Sequence, residues 1–404
     1  MQSNMLCRCS RRTKCITFVF CVVVSSFTLI WRLFGTWPLS KQRFYYEPVR
    51  QIVTNEPTSH VIRNQSNPYQ YMFGPALVPN IPEEYFHSHL NDKYIIYRCD
   101  GNGLCGGLAD REEGIVAGFL ISQMVGRKFG IRFTVPCDIS TFLQPNLVNW
   151  TVDTGNFRSF TMRRVEVIDH DAWKLREQMI KMDLNVSYPE DVVYFKVNQE
   201  FIQYLLKNKH FKTLKWAVNL TVPEIYNVIY RRLFQLRPHL DQQFHKFQIR
   251  ARARNRKLVC TQIRVWKNPT IPNDYDPGQR LDLNIIWDFL KQYNDSSKYS
   301  IFVSTDSEDV RKTGVRLFPD AIVDIGGNIV HIERSSGQQV CGGFAKVILD
   351  QLVLSTCDVL ILTSSGIGRI ASFVRGTSDE LYCTSKGKVE RCSLSDPGYI
   401  PYGW

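Results

Sequence analysis

In the second half of the chain, short apolar runs alternate with longer stretches whose apolar positions recur at helical spacing. Leu258–Val265, Tyr299–Ser304, Ala321–Ile325 and Asp358–Leu362 read as strands. Leu281–Tyr293, Glu308–Leu317, Gly342–Ser355 and Ile367–Val374 read as helices, and Gly342–Ser355 shows Phe344, Val347, Ile348 and Leu352 along one face. Strands and helices in this alternation predict an α/β fold with a parallel sheet covered on both faces. The first organised unit upstream has the same grammar: a strand at Lys93–Tyr97, a glycine-dense turn from Cys99 to Arg111, a helical pattern over Leu108–Arg127 and a strand at Phe129–Val135. In that helix Ile115, Phe119 and Ser122 share a face flanked by Val116, Leu120 and Gln123. Gly114 and Gly118 lower its helix propensity, which points to close packing against a neighbour. Asp171–Arg254 reads as mostly helical, broken at Pro223 and Pro238, and no internal repeat is present. Residues 32–90 carry Pro, Asn, Gln and Tyr without periodicity and read as a stem.

The N-terminus changes the setting. Cys15–Trp31 is 17 residues without a charge, at the lower limit for crossing a bilayer. Arg8, Arg11, Arg12 and Lys14 precede it, which keeps the N-terminus cytosolic. A cleaved signal peptide is the rival reading, but Trp31, Arg32, Phe34 and Trp37 follow the apolar core in place of small residues. The expected plan is a cytosolic tail (1–14), a membrane anchor (15–31), a stem (32–90) and lumenal domains at 91–255 and 256–404. Glycosylation sequons at Asn64, Asn149, Asn185, Asn219 and Asn294 all fall on the lumenal side. So do Cys99, Cys105, Cys137, Cys260, Cys341, Cys357, Cys383 and Cys392, an even number that suggests disulfides. Cys99–Cys105 and Cys383–Cys392 would close local loops, and no CxxC pair supports zinc. The net charge of +12 includes Arg8, Arg11, Arg12, Lys14 and Arg32 at the anchor. Arg250, Arg252, Arg254, Arg256 and Lys257 supply much of the rest, as a solvated basic face or, less favoured, a site for an acidic partner. A lumenal location argues against a nucleic-acid partner.

Three strand ends carry residues suited to a nucleoside diphosphate. Arg264 closes LVCTQIR, where a guanidinium can grip phosphate bidentately. Each such charge-assisted bond contributes roughly 1.5–3 kcal/mol. Ser304, Thr305 and Asp306 end SIFVSTD and suit a base or ribose edge, or a helix cap. After Asp358–Leu362, the turn Thr363–Gly366 offers hydroxyls and free amides at a helix N-terminus, a ready anion site, with Arg369 about a turn on. In the loop NPTIPNDYDPGQR, Asp274 and Asp276 are candidates for a general base, or ordinary turn residues.

The order IRVW, FVSTDS, CDVLILTSSGIGR resembles the donor domain of the fucosyltransferase superfamily that includes α1,2-, α1,6- and protein O-fucosyltransferases. CGGLADREEGIVAGFL is similar to its glycine-rich loop and first helix. The resemblance covers roughly residues 93–135 and 258–376. It implies a GT-B-like arrangement: two Rossmann-like domains facing a cleft, with a helical middle region. It also implies inverting, metal-independent transfer from GDP-fucose, with no cofactor. Under it Arg264 binds the β-phosphate, Asp306 the guanine or ribose, and Ser364 and Ser365 the diphosphate. Ser304 and Arg369 join the binding set, and Gly107, Asp110 and Arg111 line the opposite side of the cleft. The chain departs from the pattern at several positions. Gln262 stands at the usual histidine, Val265 at the usual second arginine, Lys267 where an acid is common, Ser307 at the second aspartate, and Ala109 at a glycine or asparagine.

The resulting expectation is a single-pass type II Golgi membrane enzyme that transfers L-fucose from GDP-fucose to a glycan or glycoprotein. A catalytically inactive relative that binds glycans or a protein is the alternative, motivated by Gln262 and Val265. A lumenal sulfotransferase would need a basic residue inside the first phosphate loop, and CDGNGLCGGLADR has no such lysine.

Overall fold

The computed structural model describes residues 81–86, 91–101, 103–278, 281–335 and 339–395, all within one compact unit, Asn64–Trp404. The anchor, the sequon at Asn64 and nearly all of the stem lie outside the described residues. Among the described residues no helix is long and apolar enough to cross a membrane.

In chain order the strands and α-helices are β1 Asn91–Cys99, α1 Leu108–Met124, β2 Arg127–Phe133, β3 Leu143–Pro145, β4 Met162–Glu166, α2 Asp169–Met179, α3 Leu184–Ser187, β5 Val192–Lys196 and α4 Ile202–Leu205. There follow α5 Val222–Leu233, β6 Phe234–Leu236, α6 Pro238–Ala251, β7 Lys257–Ile263, α7 Asn284–Leu290, β8 Tyr299–Thr305, α8 Glu308–Leu317, β9 Ile322–Val323, α9 Val340–Leu354, β10 Val359–Leu362, α10 Gly366–Arg375, β11 Leu381–Ser385 and β12 Lys388–Arg391. The first sheet has the order β2-β1-β5-β4 and is parallel throughout. The second has the order β12-β11-β10-β7-β8-β9, parallel except for the β11–β12 pair. Its central strand β7 is buried from Leu258 to Ile263, as a strand covered on both faces must be.

Two expectations change. The α1 segment is not amphipathic: every residue but Asp110 is buried. The reason is its position, on β1 and β2 on one side and against α5 and α10 on the other. A helix wedged between two halves buries its whole circumference, and each fully buried large apolar side chain stabilises by about 1.5–3 kcal/mol. Gly114 shows the closeness, since a methyl there would meet the Val197 carbonyl oxygen at 2.5 Å and the Tyr97 ring at 2.6 Å. The middle region is helical in α2 to α6, but it also supplies β5 and β6, and β5 lies between β1 and β4.

Four disulfides use all eight cysteines from Cys99 onward. Cys99–Cys105 and Cys383–Cys392 close local loops as expected. Cys137–Cys341 and Cys260–Cys357 span 204 and 97 residues. The first of these ties the loop after β2 to α9, and so joins the two halves covalently.

Candidate functional site

Arg264 follows β7, with its backbone N–H donating to Thr363 Oγ1 at 2.9 Å. Its Nη1 lies 2.8 Å from Asp306 Oδ2, its Nη2 pairs with Asp274, and its guanidinium sits 4.5 Å from the Trp266 ring centroid. Asp306 also accepts the backbone N–H groups of Val265 and Trp266, both at 2.9 Å. Asp306 is therefore a clamp on the chain beyond β7, which turns sharply at Trp266 with φ +60°. Asp274 is buried and holds a second cation, Arg334, at 3.1 Å. Both carboxylate oxygens of Asp274 are thus engaged by guanidinium groups, Oδ2 by Arg264 and Oδ1 by Arg334. Asp276 is exposed in a turn, accepting the Gly278 N–H at 3.1 Å, and does not face the cavity. The turn reading holds there.

Below Arg264, Ser304 donates to Asp350 at 3.2 Å, and Lys346 Nζ lies 2.9 Å from the same carboxylate. The group forms a buried polar floor whose members satisfy one another. The opposite wall comes from the glycine turn before α1. The Gly107 N–H donates to Asp110 Oδ2 at 2.6 Å, closing the first turn of the helix. Gly106 has φ +82°, and a methyl there would fall 2.4 Å from the Asp110 carboxylate, so only glycine fits. Glu333 Oε1 accepts the Cys105 and Gly106 N–H groups at 2.6 and 2.7 Å. Arg111, expected to meet substrate, is instead buried against the Phe133 ring and donates to the carbonyls of Gly106 and Val135. It braces the loop from behind.

These walls enclose a cavity of about 240 Å³ lined by Gly107, Asp110, Arg264, Ser304, Asp306 and Ser365 together with His331, Glu333, Lys346 and Asp350. Burial and the nearby Arg264 and Arg334 push His331 down to about 4, so its imidazole is neutral at physiological pH. Burial, reinforced by Glu333, raises Asp110 to about 6 against the opposing pull of the Gly107 N–H, Arg369 and Arg111. Ser364 and Arg369 line a neighbouring cavity of about 390 Å³, which shares Asp110, Trp266, Ser365 and Gly366 with the first. Arg369 is ion-paired to Glu113 of α1 and links the halves, so a free phosphate-gripping cation is not what that position supplies. Sequence reading missed His331, Glu333 and Arg334. Their only trace was the alternation HIER after β9, polar positions flanking Ile332. Among the described residues no cluster of His, Cys, Asp and Glu forms a metal-ligating set.

No protein-family model matches the sequence, and no curated protein matches it either. Solved structures do match. A mutant of FUT1 from Arabidopsis thaliana, in complex with GDP, aligns over 77% of each chain at 13% identity with a TM-score of 0.51. The chain has a fucosyltransferase-like fold. The fucosyltransferase NodZ from Bradyrhizobium is also similar, at 13% identity over 75% of this chain and 99% of NodZ, with a TM-score of 0.47. In this fucosyltransferase-like fold the parallel sheets are as expected, and the expected strand ends surround one cavity. The four described sequon asparagines, Asn149, Asn185, Asn219 and Asn294, are all exposed.

Proposed function

We propose that this chain is a GDP-fucose-dependent fucosyltransferase of GT-B-like design, held in the Golgi membrane as a single-pass type II protein with its catalytic part lumenal. The observation that carries the reading is that Arg264, Ser304–Asp306 and the Ser365–Gly366 turn, far apart in sequence, line one cavity roofed by the glycine turn of the other half. A diphosphate seated there would meet the remaining N–H donors of Arg264 and the unpaired amides at the start of α10. Both favour the charge that grows on the β-phosphate as the fucose C1–O bond breaks and an acceptor oxygen bonds to C1. Asp274 and Asp306 hold the guanidinium in place before the donor arrives, so little reorganisation is needed. Glycan or glycoprotein is the acceptor, and Asn149, Asn185, Asn219 and Asn294 would carry glycans themselves.

A thermal-shift comparison of GDP, UDP, CDP and ADP tests the donor reading. GDP alone should stabilise the wild type, and Arg264→Lys should lose most of that shift because an ammonium cannot reproduce the guanidinium fork. Equal responses to all four nucleotides, or to none, would overturn it. One observation favours the binding-module alternative: Gln262 is engaged by the Thr363 hydroxyl at 3.2 Å and brings no imidazole to the cavity. Transfer of labelled fucose to a glycan array separates the two, because a binding module retains glycans without labelling them.

A further inference from the structure

The larger cavity beside the proposed donor site has a different chemistry. Its wall is built from α2, α4 and the loop after β5: the rings of Trp173 and Tyr204 and the amides of Asn198, Gln199 and Gln203. The Arg176 guanidinium lies 4.8 Å from the Tyr204 ring centroid and 5.8 Å from that of Trp173, which stiffens this wall. The carboxylates in the cavity are mostly committed. Glu113 pairs with Arg369, and Glu200 accepts the backbone N–H groups of Ile202 and Gln203. The Asn198 amide is spent on Asp169, accepting its N–H and donating to its carboxylate, both at 2.8 Å. Rings that cover C–H faces, beside an amide such as that of Gln199, suit a ring carrying several hydroxyls. The two arginines that line the cavity are engaged, Arg369 with Glu113 and Arg176 against the Trp173 and Tyr204 rings.

We infer that this cavity is the acceptor subsite, that it takes an uncharged sugar ring of a glycan, and that Asp110 on its border with the first cavity is the general base. The inference rests on the fucosyl-transfer reading and adds to it the acceptor class and the proton's destination. Asp110 lines both cavities, and Gly107 N–H fixes its Oδ2, leaving Oδ1 for the acceptor. In the step, the acceptor oxygen bonds to fucose C1 and the bond from C1 to the β-phosphate oxygen breaks. GDP leaves with that oxygen and its electron pair, and the acceptor proton passes to Asp110. A carboxyl raised to about 6 by burial is matched to such work near neutral pH. The charged groups that face it are Glu333, Arg369 and Arg111.

The test uses the full chain in detergent, with GDP, GDP-fucose and an array of neutral and sialylated oligosaccharides. Wild type with GDP should retain neutral glycans, and Trp173→Ala, at a half-exposed position that spares the core, should weaken that retention at least tenfold with GDP affinity unchanged. Asp110→Asn keeps an oxygen for the Gly107 N–H. It should lower kcat by about 10²–10⁴-fold with GDP and glycan binding intact, and abolish the acid limb of kcat/KM near pH 6. Retention of sialylated glycans only, or unchanged retention in Trp173→Ala, would overturn the subsite. An acid limb that persists in Asp110→Asn would overturn the base. Absence of GDP binding by the wild type is a different result, and sinks the donor reading first.

Discussion

Both sheets carry an arginine at the end of a central strand, Arg98 one residue before the end of β1 and Arg264 just after β7, and the two do opposite things. At the first sheet Arg98 meets Asp100 at 2.5 Å and Glu166 at 3.0 Å, while Arg132 takes the other oxygen of Asp100 at 2.5 Å. The Cys99–Cys105 disulfide folds the following loop over this network and leaves a recess of about 140 Å³. At the second sheet Arg264 is also flanked by two acids. There, however, the next strand end is a serine-glycine turn that opens a helix, and the facing wall belongs to the other half of the molecule. An arginine closing a strand is thus no signal by itself. A serine-glycine turn beside it and a wall facing it set the Arg264 cluster apart from the Arg98 cluster, which lies under its own disulfide-closed loop.

The sharpest way to break this contrast is to remove both arginines in turn. Arg264→Ala leaves Asp306 buried without its cation and Asp274 with Arg334 alone, an expected loss of about 3–5 kcal/mol, and GDP should no longer raise the melting temperature. Arg98→Ala, in a partly exposed network, should cost about 1 kcal/mol or less and leave the GDP response intact. Urea denaturation with and without GDP measures both, and equal responses would erase the distinction.

A second experiment addresses the joint between the halves. Glu112 of α1 accepts Tyr230 of α5 at 3.0 Å and Gln351 of α9 at 2.6 Å, and burial pushes its carboxyl up to about 8. Its folded value is above its ordinary one of 4.5, so between these values the folded chain binds more protons than the unfolded one. Stability should therefore fall as pH rises from about 5 to about 8. Glu112→Gln should flatten that fall, as read from urea midpoints across the range. A smaller effect is expected at Gly114→Ala. The gain in helix propensity is offset by the contact with Val197, for a net loss of about 1–3 kcal/mol, and chemical denaturation would show it. The smallest is Asp276→Asn, which should leave the GDP-induced rise in melting temperature nearly unchanged because surface substitutions away from a site are nearly neutral.

Legibility differed between the halves for physical reasons. In the second sheet β7 to β10 and the helices between them were readable because those strands are short apolar runs flanked by turn residues, whereas β11 and β12 were missed. In the first half, β5 was missed: Val192–Lys196 is a five-residue run, too short for periodicity to separate from a buried helix segment. The face assigned to α1 was wrong because a sequence pattern does not reveal a second layer. Among site residues, Arg264, Ser304, Asp306 and Ser365 were placed by the rule that ligands gather at the carboxyl ends of parallel strands. Glu333 and His331 lie in an irregular segment where no periodicity constrains position.

The sequence alone determined the α/β alternation and the residues standing at the strand ends, because period and register are local properties, and it suggested the two local disulfides. Only the tertiary structure decided what those residues do. It turned Asp306 into a backbone clamp, paired Arg369 with Glu113, withdrew Arg111 behind the glycine turn and left Asp110 between two cavities. Such roles depend on partners up to 256 residues away along the chain, and packing, which no local pattern encodes, brings them within hydrogen-bond reach.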